Sequence, residues 1–172
     1  SVKFEFTGKK GVQHKIKLES KRMANLVKKC RDIPGYELFQ YYDDDGNHHS
    51  IGSADVNSYI KEITGEDFTA KDFRAWAGSL NALCAFHDIG DHSSMTDCKK
   101  KIVNVLDSVA QKLGNTRTVC KKYYVHPTVI ASYESGTIKN YKPRNTKDTS
   151  LNAQEKALLK LLSTEAIAEV TA

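Results

Sequence analysis

Apolar and polar residues alternate at the start of the chain. Val2, Phe4 and Phe6 alternate with polar neighbours, and residues 14–18 alternate again after the turn at 8–11. Strict alternation places the apolar side chains on one face of a strand, and a short turn between two such strands indicates a hairpin. The pattern therefore predicts an antiparallel β-hairpin with Lys9 at its tip.

From residue 20 onwards the apolar residues recur every three to four positions, which is typical of amphipathic helices. The pattern predicts a first helix after Ser20, a second that begins at Ser53 and ends at Gly65, and a third that Thr69 caps. The side chains expected to face inwards are Met23, Leu26, Val27 and Cys30 on the first helix, Val56, Tyr59, Ile60 and Ile63 on the second, and Phe73, Trp76, Ala77, Leu80 and Cys84 on the third.

The segment between the first two helices has a different character. Residues 36–42 are apolar and aromatic, and we expect them to form a strand or an extended segment. The acidic run at 43–47 lacks the alternating acids and the final glutamate of a calcium-binding loop, so it predicts a polar turn. His48 and His49 follow, and we predict that they lie in a solvated turn.

The second half of the chain continues the helical pattern. Polar residues at 87–95 predict a loop, and a long helix follows that ends at Gly114. Thr116 then caps a short helix, and Pro127 begins another at its first position. The predicted inner residues of these helices are Cys98, Ile102, Val105, Leu106, Val109 and Leu113, and later Val129, Ile130 and Tyr133.

The C-terminal part is polar and basic before it becomes helical again. Residues 137–150 predict a linker, and residues 151–167 predict a final amphipathic helix with Leu158, Leu159 and Leu162 on one side. We therefore expect a mainly α fold with a small antiparallel β-hairpin at the N-terminus. Its expected organisation is a core over 1–136, followed by a linker and terminal helix over 137–172.

Composition narrows the functional classes. The 172 residues carry a net charge of +5, which favours a polyanionic partner only mildly. The four cysteines have no C-x-x-C spacing, so we expect reduced thiols in a reducing, cytoplasmic compartment and no metal site. No apolar run is long enough to span a bilayer. The chain opens like a strand inside a sheet and not like a signal peptide, so we expect it to be part of a longer protein.

The strongest candidate for chemistry is Tyr124. It lies nine residues after Asn115, and Arg117, Lys121 and Lys122 are close in sequence. A phenol can act as a nucleophile, although it ionises only near a pH of about 10 and needs cationic neighbours. Most tyrosines are packing residues with a solvated hydroxyl. Both interpretations stay open from this stretch alone.

Lys71 and Arg74 form a second candidate site at the start of the third helix. They lie three residues apart and share a face near the positive end of the helix dipole, where cations are unfavourable by up to about 1 kcal/mol. A phosphate bound between them would offset this cost. A simple pair of surface cations is the alternative.

These features occur together in one known family. The hairpin lysine Lys9, the helix start Lys71-Asp-Phe-Arg74, and Leu113-Gly-Asn115 nine residues before Tyr124 resemble the catalytic domain of type IB DNA topoisomerases, in their compact bacterial and poxvirus-like branch. The resemblance covers about residues 2–135. Its further matching segments are 34–40, 55–57, 63–74 and 76–78.

The resemblance implies the catalytic-domain fold shared by tyrosine recombinases and type IB topoisomerases, and it implies a reaction. In the family a tyrosine attacks duplex DNA and forms a 3′-phosphotyrosyl link, the free 5′ end swivels, and religation leaves the DNA relaxed, without metal or ATP. Matched by position, Tyr124 would be the nucleophile, Arg74 and Asn115 would bind phosphate oxygens, and Lys9 would protonate the leaving 5′-oxygen. Tyr123 lacks the nine-residue offset. The expected contacts to the DNA backbone are Lys10, Lys71, Arg117, Lys121 and Lys122.

Two departures from the family pattern carry further expectations. The family often has histidine at the position of Asn115, and an asparagine amide can donate the same hydrogen bond. A further family arginine lies upstream of the hairpin, where this sequence has only Ser1. The resemblance thus implies that this arginine and an N-terminal DNA-clamping domain lie outside this sequence. We expect a monomer that acts at the nucleoid, and a chain that cleaves DNA weakly or not at all by itself.

Two alternatives stay open. A tyrosine recombinase shares the fold and the nucleophile, but it usually has histidine at the position of Lys71 and acts as a synaptic tetramer. A non-enzymatic helical DNA-binding module would leave Tyr124 as a packing residue. The sequence itself gives no cleavage-site preference and no role for residues 141–172.

Overall fold

The computed structural model describes residues 1–8, 11, 13–143 and 152–170, with side chains as far as residue 164 of the final helix. The chain forms two compact units, Ser1–Ala70 and Lys71–Ala172. The predicted hairpin tip, with Lys9 and Lys10, lies outside the described residues. Within the described ranges, no helix is long and apolar enough to cross a membrane.

The first unit begins with the predicted hairpin. Strand β1 (Val2–Thr7) pairs antiparallel with β2 (Gln13–Leu18), and Phe4 lies opposite Ile16. Helix α1 (Lys21–Arg31) begins after Ser20, whose hydroxyl accepts a hydrogen bond from the Met23 N–H at 3.2 Å. This confirms the hairpin and the predicted cap.

A second two-stranded ribbon precedes the next helix. Strand β3 (Gln40–Tyr42) pairs antiparallel with β4 (His48–Ser50), and helix α2 (Ser53–Thr64) follows. The polar turn between the strands is confirmed. The prediction that both histidines lie in a turn is wrong, because they pair in β4 and their rings contact Tyr41 and Tyr42 across the ribbon.

Polar contacts organise that turn. The Asp43 carboxylate accepts hydrogen bonds from the Asn47 N–H at 2.7 Å and from the Asp45 N–H at 3.1 Å, and it lies 2.7 Å from His49 Nε2. The bond with His49, followed by the one from Asn47, lowers the pKa of Asp43 to about 2. Stabilisation of this turn thus comes from charge and hydrogen bonding.

The apolar faces of α1 and α2 are exposed or only partly buried, so the predicted inner faces are wrong there. None of the residues of these two helices, all of which the structure describes, is buried. A helix buries its apolar stripe only when another layer covers it. Among the described residues, every buried apolar side chain lies between Ala82 and Leu161. The exposed side chains include Met23, Leu26, Val56, Tyr59 and Ile63.

The second unit is a helical bundle. Ser94 caps α4 by accepting from the Asp97 N–H at 3.1 Å, and Gly114 ends it in the left-handed conformation with φ 62°. Pro127 occupies the start of α6, as predicted. The helices are α3 (Ala70–Ile89), α4 (Met95–Leu113), α5 (Arg117–Tyr123), α6 (Pro127–Glu134), a 3-10 helix (Thr137–Tyr141) and α7 (Ala153–Val170).

The core of this unit combines residues of α3, α4, α6 and α7. The predicted inner face of α4 is confirmed, with Leu113 packed at its edge. On α3 the predicted face is only partly right, because Phe73 is 59% exposed while Gly78 and Ser79 are buried. The backbone of Tyr124 and His126 covers α3 at Gly78 and Ser79. The central side chains are Leu83, Phe86, Val105, Leu106, Val109, Val129, Tyr133, Leu158 and Leu161.

The C-terminal part packs on the same core. Ile138 and Tyr141 of the 3-10 helix are buried, so residues 137–141 are packed structure where a linker was predicted. On α7, Leu158 and Leu161 are buried, whereas Leu159 is 47% exposed. A domain boundary after residue 136 stays a prediction, and the predicted linker residues 144–151 lie outside the described residues.

Candidate active site around Tyr124

The α4–α5 corner fixes the backbone of Tyr124. Gly114 ends α4, and the Thr116 hydroxyl caps α5 by accepting from the Val119 N–H at 3.3 Å. Tyr124 follows the last residue of α5, and its N–H donates to the Cys120 carbonyl at 3.0 Å. The Tyr124 side chain is half-buried, while that of Tyr123 is exposed. Its backbone is therefore held while its side chain stays accessible.

Arg74 brings the start of α3 to this tyrosine. The carbon at the centre of its guanidinium lies 5.1 Å from the centroid of the Tyr124 ring. Its Nη2 donates to the Leu113 carbonyl at 2.7 Å, at the negative end of the α4 dipole. A guanidinium has five N–H donors. Because Arg74 is exposed, most of this fork can still bind an anion.

Asn115 bonds to the same carbonyl as Arg74. Its Nδ2 donates to the Leu113 oxygen at 3.2 Å, and its backbone N–H donates to the Ala110 oxygen at 2.9 Å. Arg74 and Asn115 therefore share one acceptor. The structure brings together the guanidinium, the amide and the Tyr124 ring, as the sequence predicted. Which chemical role each of them has stays a prediction.

The lysines predicted to bind DNA have separate surroundings. The ammonium groups of Lys71 and Lys122 each lie 5.1 Å from the centroid of the Tyr123 ring, a cation–π distance. Lys71 and Arg74 thus contact two adjacent tyrosines. Arg117 pairs with Asp107 at 3.4 Å on an exposed surface.

Lys121 is exposed in the last turn of α5, next to Lys122. The remaining two predicted cations, Lys9 and Lys10, lie outside the described residues. No group of three or more His, Cys, Asp or Glu side chains that could hold a metal ion occurs in the part of the chain that the structure describes.

Cys120 lies beneath the site and is fully buried. Burial raises the pKa of its thiol, and the positive charge of Arg74 opposes that rise only in part. A thiol that stays protonated is a poor nucleophile. The buried Cys120 thiol is therefore unsuited to act as a nucleophile at this corner.

Sequence reasoning missed Gly78 and Ser79, which contact the tyrosine backbone. The His126 N–H donates to the Ser79 hydroxyl at 2.9 Å, and that hydroxyl donates to the Tyr124 carbonyl over a longer 3.5 Å. A Cβ added to Gly78 would lie 2.2 Å from the Tyr124 oxygen. The available signal was the glycine itself, because an isolated glycine inside a helical pattern often marks close packing.

A groove of about 320 Å³ opens beside this contact. Its walls combine aromatic side chains of α3 and α5 with the segment that joins α5 to α6, and Leu162 of α7 contributes to one wall. The side chains that line it include Trp76, Ser79, Tyr123, Tyr124 and His126. The tyrosine therefore stands at the edge of an open depression.

Comparison with known proteins places the chain in a family. The family model for the catalytic core of eukaryotic DNA topoisomerase I matches residues 1–151. A protein of Acanthamoeba polyphaga mimivirus, named DNA topoisomerase 1B, is 30% identical over 141 residues. That match covers 78% of this chain and 42% of the relative, so the chain spans less than half of the relative's length.

The matched residues include Arg74, Asn115 and Tyr124, together with both helices on which the corner depends. The relative is viral, and the sequence resemblance was to the compact bacterial and poxvirus-like branch of the family. The family match covers most of the chain and agrees with its mainly helical fold and N-terminal hairpin. The chain therefore belongs to the family of the eukaryotic DNA topoisomerase I catalytic core.

Proposed function

We propose that this chain carries the cleavage and religation chemistry of a type IB DNA topoisomerase, with Tyr124 as the nucleophile. The observation that supports this most is the shared corner at the Leu113 carbonyl. There the Arg74 guanidinium and the Asn115 amide converge beside an accessible tyrosine. A phosphate bound by both donors would present its phosphorus atom to the phenol oxygen.

The proposed step is an in-line displacement at phosphorus. The Tyr124 oxygen forms a bond to the phosphorus of one strand, the bond from phosphorus to the 5′-oxygen breaks, and the phenol proton passes to solvent. The leaving 5′-oxygen takes a proton, and the family resemblance assigns that role to Lys9. Attack of the 5′-hydroxyl on the phosphotyrosine reverses the step. Between the two steps the DNA swivels, and supercoils relax without ATP or metal.

Arg74 and Asn115 would act on the transition state. Negative charge develops on the equatorial oxygens of the phosphorane, and donors fixed beforehand stabilise that charge most effectively. Arg74 suits the task because a planar guanidinium can donate two parallel hydrogen bonds to a phosphate. Its bond to Leu113 fixes the fork before substrate binds.

Duplex DNA is the proposed partner. Lys71, Lys121 and Lys122 are exposed around the tyrosine pair and would contact backbone phosphates, which carry no base-specific information. Arg117 would join them, because its exposed pair with Asp107 is weak enough for a phosphate to replace. We also propose a monomer that acts at the cytoplasmic nucleoid, and an N-terminal domain of the same protein that holds the other side of the duplex.

The test compares the two adjacent tyrosines in the full natural protein. Supercoiled plasmid is incubated without ATP and with EDTA, quenched with detergent, and analysed for relaxed DNA and for protein covalently attached to a 3′ end. Tyr124→Phe should abolish both products, whereas Tyr123→Phe should retain the adduct. Binding of a DNA duplex should stay within about twofold for Tyr124→Phe, because a single phenol oxygen adds little to a backbone-dominated interface.

Three results would overturn the proposal. An adduct that survives Tyr124→Phe but disappears in Tyr123→Phe would move the nucleophile to the neighbouring residue. Binding without any adduct in the unmodified protein would favour a non-enzymatic DNA-binding module. Strand exchange that requires two DNA duplexes, with no relaxation of a single plasmid, would indicate a recombinase.

A further inference from the structure

We propose that Ser79 is a positioning residue for the nucleophile, acting through the backbone that joins α5 to α6. This inference rests on the proposed function of Tyr124. The Ser79 side chain contacts the backbone on either side of Val125 and not the reacting atoms of the proposed step, so it would act by holding the tyrosine beside Arg74.

Ser79 is buried, and its hydroxyl is hydrogen-bonded to the segment that joins α5 to α6. Its hydroxyl accepts from the His126 N–H at 2.9 Å and donates to the Tyr124 carbonyl at 3.5 Å. One side chain therefore contacts the backbone on both sides of Val125. A hydroxyl can donate one hydrogen bond and accept others, so a single serine serves both partners. Alanine could serve neither.

Gly78 lets α3 and the backbone at Tyr124 approach closely enough for these hydrogen bonds. A Cβ on this residue would overlap the Tyr124 carbonyl oxygen, at 2.2 Å. Real Cβ atoms do not come so near another atom, so a larger residue would push the segment away from α3. Gly78 and Ser79 thus form a seat for the backbone of residues 124–126, which we call the tyrosine seat.

The tyrosine seat and the catalytic cation lie on the same rigid element. Arg74 and Gly78 are four residues apart on α3 and share one face of that helix. Because the helix holds both the guanidinium and the tyrosine backbone, it fixes the distance of 5.1 Å between the guanidinium and the Tyr124 ring. Loosening the seat should therefore disturb alignment without removing any group that reacts.

Removal of the hydroxyl should shift the segment without unfolding the chain. The groove of about 320 Å³ beside Ser79 can admit water to the freed His126 amide. Water would satisfy the amide but would not hold it to α3. A displacement of about 1 Å can cost roughly 100-fold in rate when reacting groups are misaligned.

The experiment compares Ser79→Ala with Ser132→Ala in the full natural protein. Ser132 is buried to the same degree, at 3% exposure against 4%, and its hydroxyl donates within α6 to the Val129 carbonyl. Single-turnover formation of the covalent adduct on plasmid DNA is measured for both variants. Affinity for a DNA duplex is measured in parallel, with Tyr124→Phe added to prevent cleavage.

We expect Ser79→Ala to slow adduct formation by roughly 10-fold to 100-fold, with DNA affinity unchanged within about twofold. Amide hydrogen exchange at His126 should become faster. Ser132→Ala should leave the rate of adduct formation and the exchange rate at His126 near those of the unmodified protein. Equal rates in the two serine variants would overturn the inference, and so would unchanged exchange at His126.

A second pair of variants serves if Ser79→Ala does not fold. Ser79→Thr and Ser79→Val have the same shape and differ in the hydroxyl. The threonine variant should form the adduct faster and protect the His126 amide better, and equal behaviour of the pair would overturn the inference. The two hypotheses can be told apart. If the proposed function is wrong, the unmodified protein forms no adduct, and hydrogen exchange at His126 still tests whether Ser79 holds the tyrosine seat.

Discussion

Different forces stabilise the two units of the chain. In residues 1–70 no described apolar side chain is buried, and exposed polar contacts include the Asp43 turn, the Ser20 cap and the ion pair of Lys61 with Asp67 at 2.8 Å. In residues 71–172 four long or medium helices bury a continuous apolar core. Exposed ion pairs contribute little to stability, typically below about 1 kcal/mol. Most of the stabilisation visible in the described residues is therefore in the second unit.

The difference matters for function because the corner lies in the well-packed unit. Arg74, Asn115 and Tyr124 all belong to residues 71–172, and each is attached to a helix that contributes to the core. Groups that must meet a transition state need supports that do not move. The first unit, by contrast, presents apolar side chains on α1 and α2 that its own residues leave exposed.

The largest effect on the free energy of unfolding should come from removing a buried aromatic side chain of α3. Phe86 is 1% exposed and Phe73, on the same helix, is 59% exposed. Phe86→Ala should lower the free energy of unfolding by about 3–5 kcal/mol, whereas Phe73→Ala should change it by no more than about 0.5 kcal/mol. Urea unfolding followed by the fluorescence of Trp76, the single tryptophan, measures both. Similar losses in the two variants would contradict the core assigned to this unit.

A valine pair compares the two units directly. Val109 of α4 is 1% exposed and Val56 of α2 is 43% exposed. Val109→Ala should cost about 1–3 kcal/mol of unfolding free energy, because two buried methyl groups are lost. Val56→Ala should cost less than about 0.5 kcal/mol. Circular dichroism follows both helices during denaturation, and a larger cost at Val56 would break the comparison.

The smallest expected effect concerns the pKa of Asp43, in the polar turn of the first unit. The lowered pKa of Asp43 means that its contribution to folding is fully present above about pH 4, near its ordinary value of 3.8, and is lost as the pH falls towards about 2. His49→Ala should raise the pKa of Asp43 towards 3.8, because the largest cause of the shift is removed. Carboxylate titration by NMR measures this shift.

His48→Ala is the matched control for this titration. His48 Nε2 contacts the Gln40 side chain at 2.6 Å, and the Asp43 carboxylate is bonded by the other histidine. The pKa of Asp43 should therefore stay at about 2 in that variant. A rise of equal size in both variants would show that the ribbon as a whole, and not the His49 contact, holds the carboxylate.

Local patterns predicted the elements better than they predicted which faces are covered. Alternation identified the hairpin, and α4 followed from one clear stripe between Ser94 and Gly114. The same periodicity in α1 and α2 indicated inner faces that the structure leaves exposed. Periodicity shows that a helix has an apolar side, but burial depends on a partner layer that a local window cannot contain.

The candidate site was predictable in part for the same reason. Asn115 and Tyr124 are close in sequence, Arg74 was a candidate phosphate-binding residue at the start of its helix, and the family resemblance joined the three, so the corner was expected. The tyrosine seat was not, because Ser79 meets the Tyr124 carbonyl across a sequence separation of 45 residues. Its partner there is backbone, which carries no residue-specific signal in the sequence.

The turn of α3 between Arg74 and Gly78 sets where the guanidinium lies relative to the Tyr124 backbone. Each residue of a helix advances about 1.5 Å and rotates about 100° around the axis. An extra residue between Arg74 and Gly78 would keep every side chain of the site, yet it would swing the guanidinium more than a quarter of a circle away from the ring. Attempts to redesign this centre can therefore exchange side chains, but the count of residues along that turn has to stay at four.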